Sequence, residues 1–290
     1  MSTIRREEQV AANNIPALDP TLLKLSETEV QFLHATVASE DEEMQRRVRE
    51  VQEDSKYPYP CIRAFHYVNL MMSKNAVYPD IVREGKERGD TLFLDLGCCM
   101  GTDVRKLALD GYPARNILGC DLREEYITLG YKLFQDRKKS EIRFLAADIF
   151  DVPLTHKPSN ADPTSATQLA QLQGSLTHVY TGALFHLFDE ATQYAIAARV
   201  GVLLKREKGA VVFGRHQGLE DAGMIDDHMK RTRYGHSPTS WPLLWKRVFT
   251  ELEDAEFAEK RLVVDAKLTE NLSGIPGRSS RMLYWSVKIV

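Results

Sequence analysis

One stretch constrains this chain more than any other: Leu92-Phe93-Leu94-Asp95-Leu96-Gly97-Cys98-Cys99-Met100-Gly101. A short apolar strand ends in an acid, and a turn with two glycines leads straight into a helix pattern. Such a turn sets backbone N–H groups and a glycine-thinned surface against a ligand at the C-terminal edge of a parallel sheet. From residue 91 onward the chain alternates strand and helix patterns, and repeats of ~25–30 residues predict βαβ units with right-handed crossovers.

Strand patterns fall at 91–96, 116–121, 142–148, 176–180 and 209–214, with helices at 102–110, 123–137 and 189–205 between them. The first strand is apolar throughout, as a parallel strand buried on both faces must be. Residues 154–175 are rich in Pro, Ser, Thr, Asn and Gln, which predicts a surface loop with a short helix at 167–172. Two further strand patterns, 261–268 and 281–290, flank a turn-rich 271–280 and form a terminal hairpin. The expected fold is therefore α/β: a three-layer, Rossmann-like, mixed seven-stranded sheet with one antiparallel edge strand.

Residues 1–56 read as an N-terminal helical arm, and residues 57–290 as the main domain. Ser26-Glu-Thr-Glu29 is a capping-box pattern, with Val30, Phe32, Leu33 and Val37 behind it at helical spacing. Ser39-Glu-Asp-Glu42 repeats the box and opens a highly charged helix. That helix is expected to be solvated, or else to serve as a lid or dimer contact. Tyr57-Pro-Tyr-Pro60 ends the arm.

Composition excludes several classes. A net charge of −3 gives no sign of a nucleic-acid partner. No apolar run approaches the ~20 residues needed to span a bilayer, and the first residues lack the apolar core of a signal peptide. A cytoplasmic location is expected. Cys61, Cys98, Cys99 and Cys120 make no paired CxxC spacing. Three of them could meet at a metal; buried thiols lining the turn are the expected arrangement, with no metal.

Two acids decide the ligand. Asp121 ends the second strand, ~20 residues past the turn, where a carboxylate can accept both ribose hydroxyls of a nucleoside. Asp148 ends the third strand, placed for the exocyclic amine of an adenine. Each could instead be an N-cap. A nicotinamide dinucleotide needs G-x-G-x-x-G so that its diphosphate can approach the helix. Cys99 stands where the second glycine should be, so a dehydrogenase is disfavoured. A nucleoside with an amino-acid tail fits better, with Asp95 meeting the tail's ammonium group.

Asp95-x-Gly97-x-Cys99-x-Gly101, Asp121 and Asp148 resemble the first three motifs of class I S-adenosylmethionine-dependent methyltransferases, with Cys99 replacing the usual middle glycine. Tyr57-Pro-Tyr-Pro-Cys-Ile-Arg63 ahead of Leu94-Asp-Leu-Gly-Cys98 resembles the small-molecule methyltransferases of fungal secondary metabolism, particularly those acting on meroterpenoid carboxylic acids. The resemblance implies S-adenosylmethionine as cofactor. It assigns cofactor contact to Gly97, Asp121 with Leu122, and Asp148 with Ile149, and it implies a small-molecule acceptor; Asp95, Cys98 and Gly101 of the same turn are further candidate contacts.

Methyl transfer from a sulfonium is an in-line displacement with a good leaving group, so alignment in a dry site is the main requirement. A carboxylate acceptor is already ionised near pH 7 and needs no base, since such acids titrate near ~4. A phenol or alcohol would need one. His186, after the fourth strand, is the candidate base, against local packing. Arg215 and His216 form a candidate cationic pair for a substrate carboxylate. A substrate-lid segment at about 215–252 carries His236, Trp241 and Trp245, which with Tyr57 and Arg63 suggest an aromatic-walled acceptor pocket. The alternative for the tryptophans is the core of a helix over about 238–252. The expected reaction is O-methylation of a carboxylic acid. The alternatives are a phenol, amine or carbon nucleophile, or a non-catalytic cofactor-binding regulator that works through the arm, which is also the candidate homodimer contact.

Overall fold

The computed structural model describes residues 17–56, 59–155, 165–225, 232–270 and 281–290. Five strands follow the apolar runs: β1 (Phe93–Leu96), β2 (Ile117–Asp121), β3 (Arg143–Ala146), β4 (His178–Gly182) and β5 (Val211–Gln217). A two-stranded ribbon, β6 (Gly223–Ile225) and β7 (Arg233–Gly235), stands apart, and β8 (Leu262–Leu268) and β9 (Met282–Ile289) close the sheet. The seven-stranded order is β3-β2-β1-β4-β5-β9-β8. β1 to β5 pair in parallel, and β9 pairs antiparallel with both β5 and β8. The expected mixed sheet is present, and its antiparallel strand lies second from the edge.

The described helices are α1 (Glu27–Thr36), α2 (Asp41–Asp54), α3 (Pro60–Arg63), α4 (Tyr78–Glu87), α5 (Thr102–Leu109), α6 (Glu124–Phe134), α7 (Glu190–Leu203), α8 (Ser240–Leu252) and α9 (Ala255–Lys260). Alternation along the strands divides the core in two. Phe93, Ile117, Tyr180 and Phe213 face α4 and α5. Leu94, Leu118, Val179, Val212 and Trp285 face α7 and α8. Helices on both faces make the three layers.

The arm is no separate unit. Phe32 and Leu33 of α1 and Met44, Val48 and Val51 of α2 are buried with Tyr126, Leu129, Leu133 and Phe134 of α6. The spacing of Met44, Val48 and Val51 makes a narrow apolar stripe, and α6 offers the matching face. Lys132 of α6 bridges Glu50 and Asp54 of α2 at 2.6 and 2.5 Å. The solvated-helix expectation for α2 therefore fails on one side of the helix. This apolar stripe is thus packed within the chain. The Ser26–Glu29 capping box forms as expected. The second does not: the N-cap of α2 is Glu40, without a side-chain bond, and Asp41 pairs with His34 at 2.7 Å.

Residues 59–77 run as a strap between arm and sheet. Gln52, buried in α2, donates to the carbonyls of Ile62 and Arg63. The Tyr67 hydroxyl donates to the Val48 carbonyl at 2.6 Å, and Thr102 donates to the Tyr67 carbonyl. Glu29 accepts the Leu70 amide at 3.0 Å, and one oxygen of Asp103 accepts the amides of both Met71 and Met72. The Asn75 side chain donates to the carbonyls of Gly214 on β5 and Trp285 on β9. Phe65 and Tyr67 are core residues at 1% and 5% exposure.

Candidate active site

The turn after β1 carries three left-handed residues in alternation: Gly97 (φ 86°), Cys99 (φ 52°) and Gly101 (φ 74°). Cys99 thus adopts the backbone expected of a glycine, at a conformational cost. The two glycines serve different ends. A β-carbon on Gly97 would meet nothing nearer than Leu184 at 3.7 Å, so its outer side is open. One on Gly101 would sit 2.5 Å from the Phe144 ring and 2.7 Å from the Arg105 guanidinium. Gly101 therefore shapes the turn from within, and its side-chain position faces no ligand.

The amides of the turn are largely spent. Those of Gly97 and Cys98 donate to the Cys120 carbonyl at 2.8 and 2.9 Å, and that of Gly101 to Cys98 at 2.8 Å. The Cys99 amide donates to Asp121 Oδ2 at 2.8 Å. The expectation that this turn offers a row of N–H groups to a ligand is corrected for these four amides, which already have partners within the protein.

Arg105, not anticipated from the sequence, supports the turn from below. It donates to the carbonyls of Met100 and Gly101 and forms a bidentate pair with Asp136 at 2.7 and 2.9 Å. Asp103 was also missed. Burial pushes its carboxyl up to about 6, against the Met72 and Met71 amides and the charges of Arg215 and Lys74. Both residues lie on α5, where helical periodicity cannot separate a surface charge from one directed beneath the preceding turn.

Asp121 Oδ1 accepts the Arg123 amide at 2.9 Å, so the carboxylate binds one amide on each oxygen. Each oxygen keeps acceptor capacity for a hydroxyl. Beside it Leu122 is 47% exposed, a bare apolar surface at the end of β2. Asp148 caps the short turn Ile149–Asp151 by accepting the Phe150 amide at 2.9 Å, as the capping alternative expects. Ile149 is buried. Asp95 is 3% exposed, and burial, Asp103 and Asp121 together hold its carboxyl well above the usual carboxylate range. Burial raises the pKa of the Asp95, Asp103 and Asp121 carboxyls alike, and a cationic ligand beside them would draw them into the charged form. An amino-acid-bearing nucleoside sulfonium fits this set of residues.

The cysteines are free thiols, and burial pushes those of Cys98, Cys99 and Cys120 up, Cys120 to about 12. Among the described residues, no group of His, Cys, Asp and Glu is arranged to hold a metal ion.

The acceptor side departs more from expectation. β5 continues to Gln217, so Arg215 and His216 lie within the strand and point to opposite faces. They form no cationic pair. His216 is 1% exposed among Phe185, Trp241 and Trp285, and its Nδ1 accepts the Trp285 indole N–H at 3.0 Å. Burial, then His186 and His236, drive its pKa well below the usual value, so it is neutral. His236 bonds Ser240 at 2.9 Å, and burial lowers its pKa to about 4. Trp241 and Trp245 are fully buried. The aromatic wall expected of the lid is the core under α8, and the core alternative holds.

His186 is half-buried in the turn Phe185–Leu187, and its Nδ1 accepts the Gln217 amide at 3.1 Å. Its carbonyl accepts Arg233 Nε at 2.9 Å. Tyr57 lies outside the described residues. The carbonyl of Arg63 is held by Gln52, and its Nε is buried without a hydrogen-bond partner among the described residues.

No family model matches the chain. It is 32% identical over 238 residues to an asnovolin E/chermesin D methyltransferase, nvfJ, of Aspergillus novofumigatus, covering 81% of this chain and 80% of that protein. It is 34% identical to the O-methyltransferase phiE of a fungal species and 37% identical to the O-methyltransferase atr3 of Stereocaulon alpinum. Those matches cover 67% and 66% of this chain but only 61% and 52% of the relatives' own lengths. The chain belongs to the fungal S-adenosylmethionine-dependent methyltransferases of secondary-metabolite type. Among the described residues no helix is long and apolar enough to cross a membrane.

Proposed function

We propose that this chain O-methylates a carboxylic acid on a small natural product of terpenoid or meroterpenoid type. The observation that carries the reading is the bond from the Gln217 amide to His186 Nδ1. A neutral imidazole has one lone pair, and here it is taken, so Nε2 bears the proton. His216 and His236 are buried and neutral within the aromatic core. A nucleophile that needs no base suits such surroundings, and a carboxylate is that nucleophile.

Asp121 and Leu122 would hold the ribose end of the cofactor, Asp148 and Ile149 the adenine, and Asp95 the ammonium of its tail, with Gly97 leaving room. When bound, the cofactor supplies a methyl group on a positively charged sulfur. The protein's share is to hold the acceptor oxygen in line and keep water out. The relative named for asnovolin E and chermesin D supports an acceptor of the secondary-metabolite class.

The test is product chemistry. Incubation with S-adenosylmethionine and candidate acids should give a product heavier by one methyl that mild alkali returns to the acid. An alkali-stable product points to a phenol, amine or carbon acceptor instead. Calorimetry should find S-adenosylmethionine bound and NAD not bound.

A further inference from the structure

We propose that Arg215 and Tyr180 form a carboxylate-binding subsite at the C-terminal ends of β5 and β4, on the sheet face that carries Asp95. It rests on the methyl-transfer reading only for which ligand brings the carboxylate.

Both residues have unspent hydrogen-bonding capacity in a place where that is costly. Arg215 follows Phe213 by two positions, so it shares the face of Phe213 and Tyr180. Among the described residues its guanidinium makes no hydrogen bond or ion pair, and its Nε is buried without a partner. Arg105 pairs with Asp136, Arg206 with Glu253 and Arg233 with Gln217, whereas Arg63, Arg143 and Arg199 share with Arg215 a buried Nε without a partner among the described residues. Tyr180 is 2% exposed, and its hydroxyl too is buried and unpartnered. A buried polar group without a partner costs stability, so the arrangement points to a ligand that completes it.

Geometry brings the pair together. Gly182 is the strand partner of Arg215. A β-carbon at Gly182 would sit 2.9 Å from the Tyr180 hydroxyl oxygen. The phenol therefore leans over the glycine that stands beside the arginine, and any larger residue at 182 would displace it. Tyr180 packs on Phe213 at 5.1 Å between ring centroids, which fixes its direction. Burial and the acids nearby hold the phenol well above its usual pKa, so it serves as a neutral O–H donor.

The charge of the surroundings selects the ligand. Asp103 feels the field of Arg215 but spends one oxygen on two strap amides and does not pair with it. Lys74 adds a second positive charge, and burial, Arg215 and Lys74 keep His66 below its usual pKa. With Asp95 and Asp103 close by, a dianion such as phosphate is repelled and a single carboxylate is matched. A guanidinium fork plus a phenol O–H is a suitable donor set for it. The carboxylate has two possible sources: the acceptor acid, or the amino-acid tail of the cofactor.

The test uses the full chain with Arg215→Gln, Arg215→Lys and Tyr180→Phe. Calorimetry measures S-adenosylhomocysteine and its decarboxylated analogue. It then measures abietic acid, a diterpenoid acid, against methyl abietate on protein saturated with S-adenosylhomocysteine. If the acceptor fills the subsite, Arg215→Gln weakens abietic acid by on the order of 10- to 100-fold and leaves the ester and S-adenosylhomocysteine unchanged. If the cofactor tail fills it, S-adenosylhomocysteine weakens by that factor and the decarboxylated analogue does not. Either result supports the subsite, with Arg215→Lys intermediate and Tyr180→Phe milder. Unchanged binding of both carboxylates in all variants overturns it, as does equal loss of S-adenosylhomocysteine and its decarboxylated analogue. An alkali-stable product with Arg215-dependent carboxylate binding sinks the ester reading alone. An ester product with Arg215-independent binding sinks the subsite alone.

Discussion

The Asp121 carboxylate accepts the Cys99 amide at 2.8 Å, which joins the end of β2 to the turn after β1. Asp121→Ala strands two amides, those of Cys99 and Arg123, at about 1–3 kcal/mol for each one left buried. S-adenosylhomocysteine affinity should fall by at least about tenfold, while Asp121→Asn keeps one acceptor and loses less. Urea unfolding and calorimetry measure both effects. Unchanged affinity in the alanine variant would refute the ribose placement.

Cys99 holds a left-handed backbone that costs a non-glycine residue about 1–2 kcal/mol. Cys99→Gly should therefore leave stability equal or higher by about 1 kcal/mol, with cofactor affinity within about threefold. Cys99→Val should lose about 1–3 kcal/mol, because a branched side chain tolerates that backbone worst. Denaturant midpoints decide the matter, and equal stability of the two variants would refute the strain.

His186→Gln keeps a hydrogen-bond acceptor for the Gln217 amide but cannot serve as a base. Turnover should stay within a few-fold of the native rate if the product is an ester. A fall in kcat of about 100- to 10,000-fold at unchanged KM is the signature of a lost general base and would return His186 to that role.

Two buried groups give opposite pH dependences. His236 titrates at about 4 in the fold and near 6.5 unfolded, so the unfolded chain binds more protons between those values. Stability is full above about 6.5 and falls toward pH 4, at about 1.4 kcal/mol per unit. His216 acts in the same direction. Asp103 titrates at about 6 in the fold against 3.8 unfolded, so its contribution falls as pH rises from 3.8 to 6 and is flat above. Unfolding free energies from pH 4 to 7.5 should show a shallower acid loss in His236→Phe and a steeper one in Asp103→Asn. The same slope in all three proteins would refute both assignments.

Leu33→Ala tests the union of arm and sheet. Leu33 is fully buried in a cluster that includes Met100 of the turn. The substitution should cost about 2–5 kcal/mol and weaken S-adenosylhomocysteine as well. A stability loss with unaltered affinity would mean that the arm is packed beside the site without shaping it.

The parallel half of the sheet was legible because buried strands read as short apolar runs, and the glycine turn and strand-end acids mark where those runs stop. Asp121 ends β2 as its spacing indicates, whereas β3 stops at Ala146 and Asp148 lies two residues beyond it as the cap of the next turn. The acceptor half was not legible. Arg215-His216-Gln217 is polar and reads as the end of a strand, yet β9 pairs with it and extends β5 through all three residues. That extension sends Arg215 and His216 to opposite faces. Trp241 and Trp245 could be wall or core at the same helical spacing, and only the position of α8 against β9 separates the two. The arm was misread because its apolar stripe is too thin to hold a helix by itself, and its partner, α6, lies about 80 residues away in sequence.

β9 lies between β5 and β8 and follows both of them in the chain. Strands β1 to β3 are made before position 150, and β1 gains its second neighbour, β4, by residue 182. The strand carrying Arg215 must wait for residues 282–289 before one of its edges is paired. During synthesis the chain thus exposes an unpaired, apolar strand edge for some 65 residues of further growth, a long-range closure that slows folding and invites aggregation. The strand ends that carry Asp95 and Asp121 are thus made long before the edge of the strand that carries Arg215 is paired.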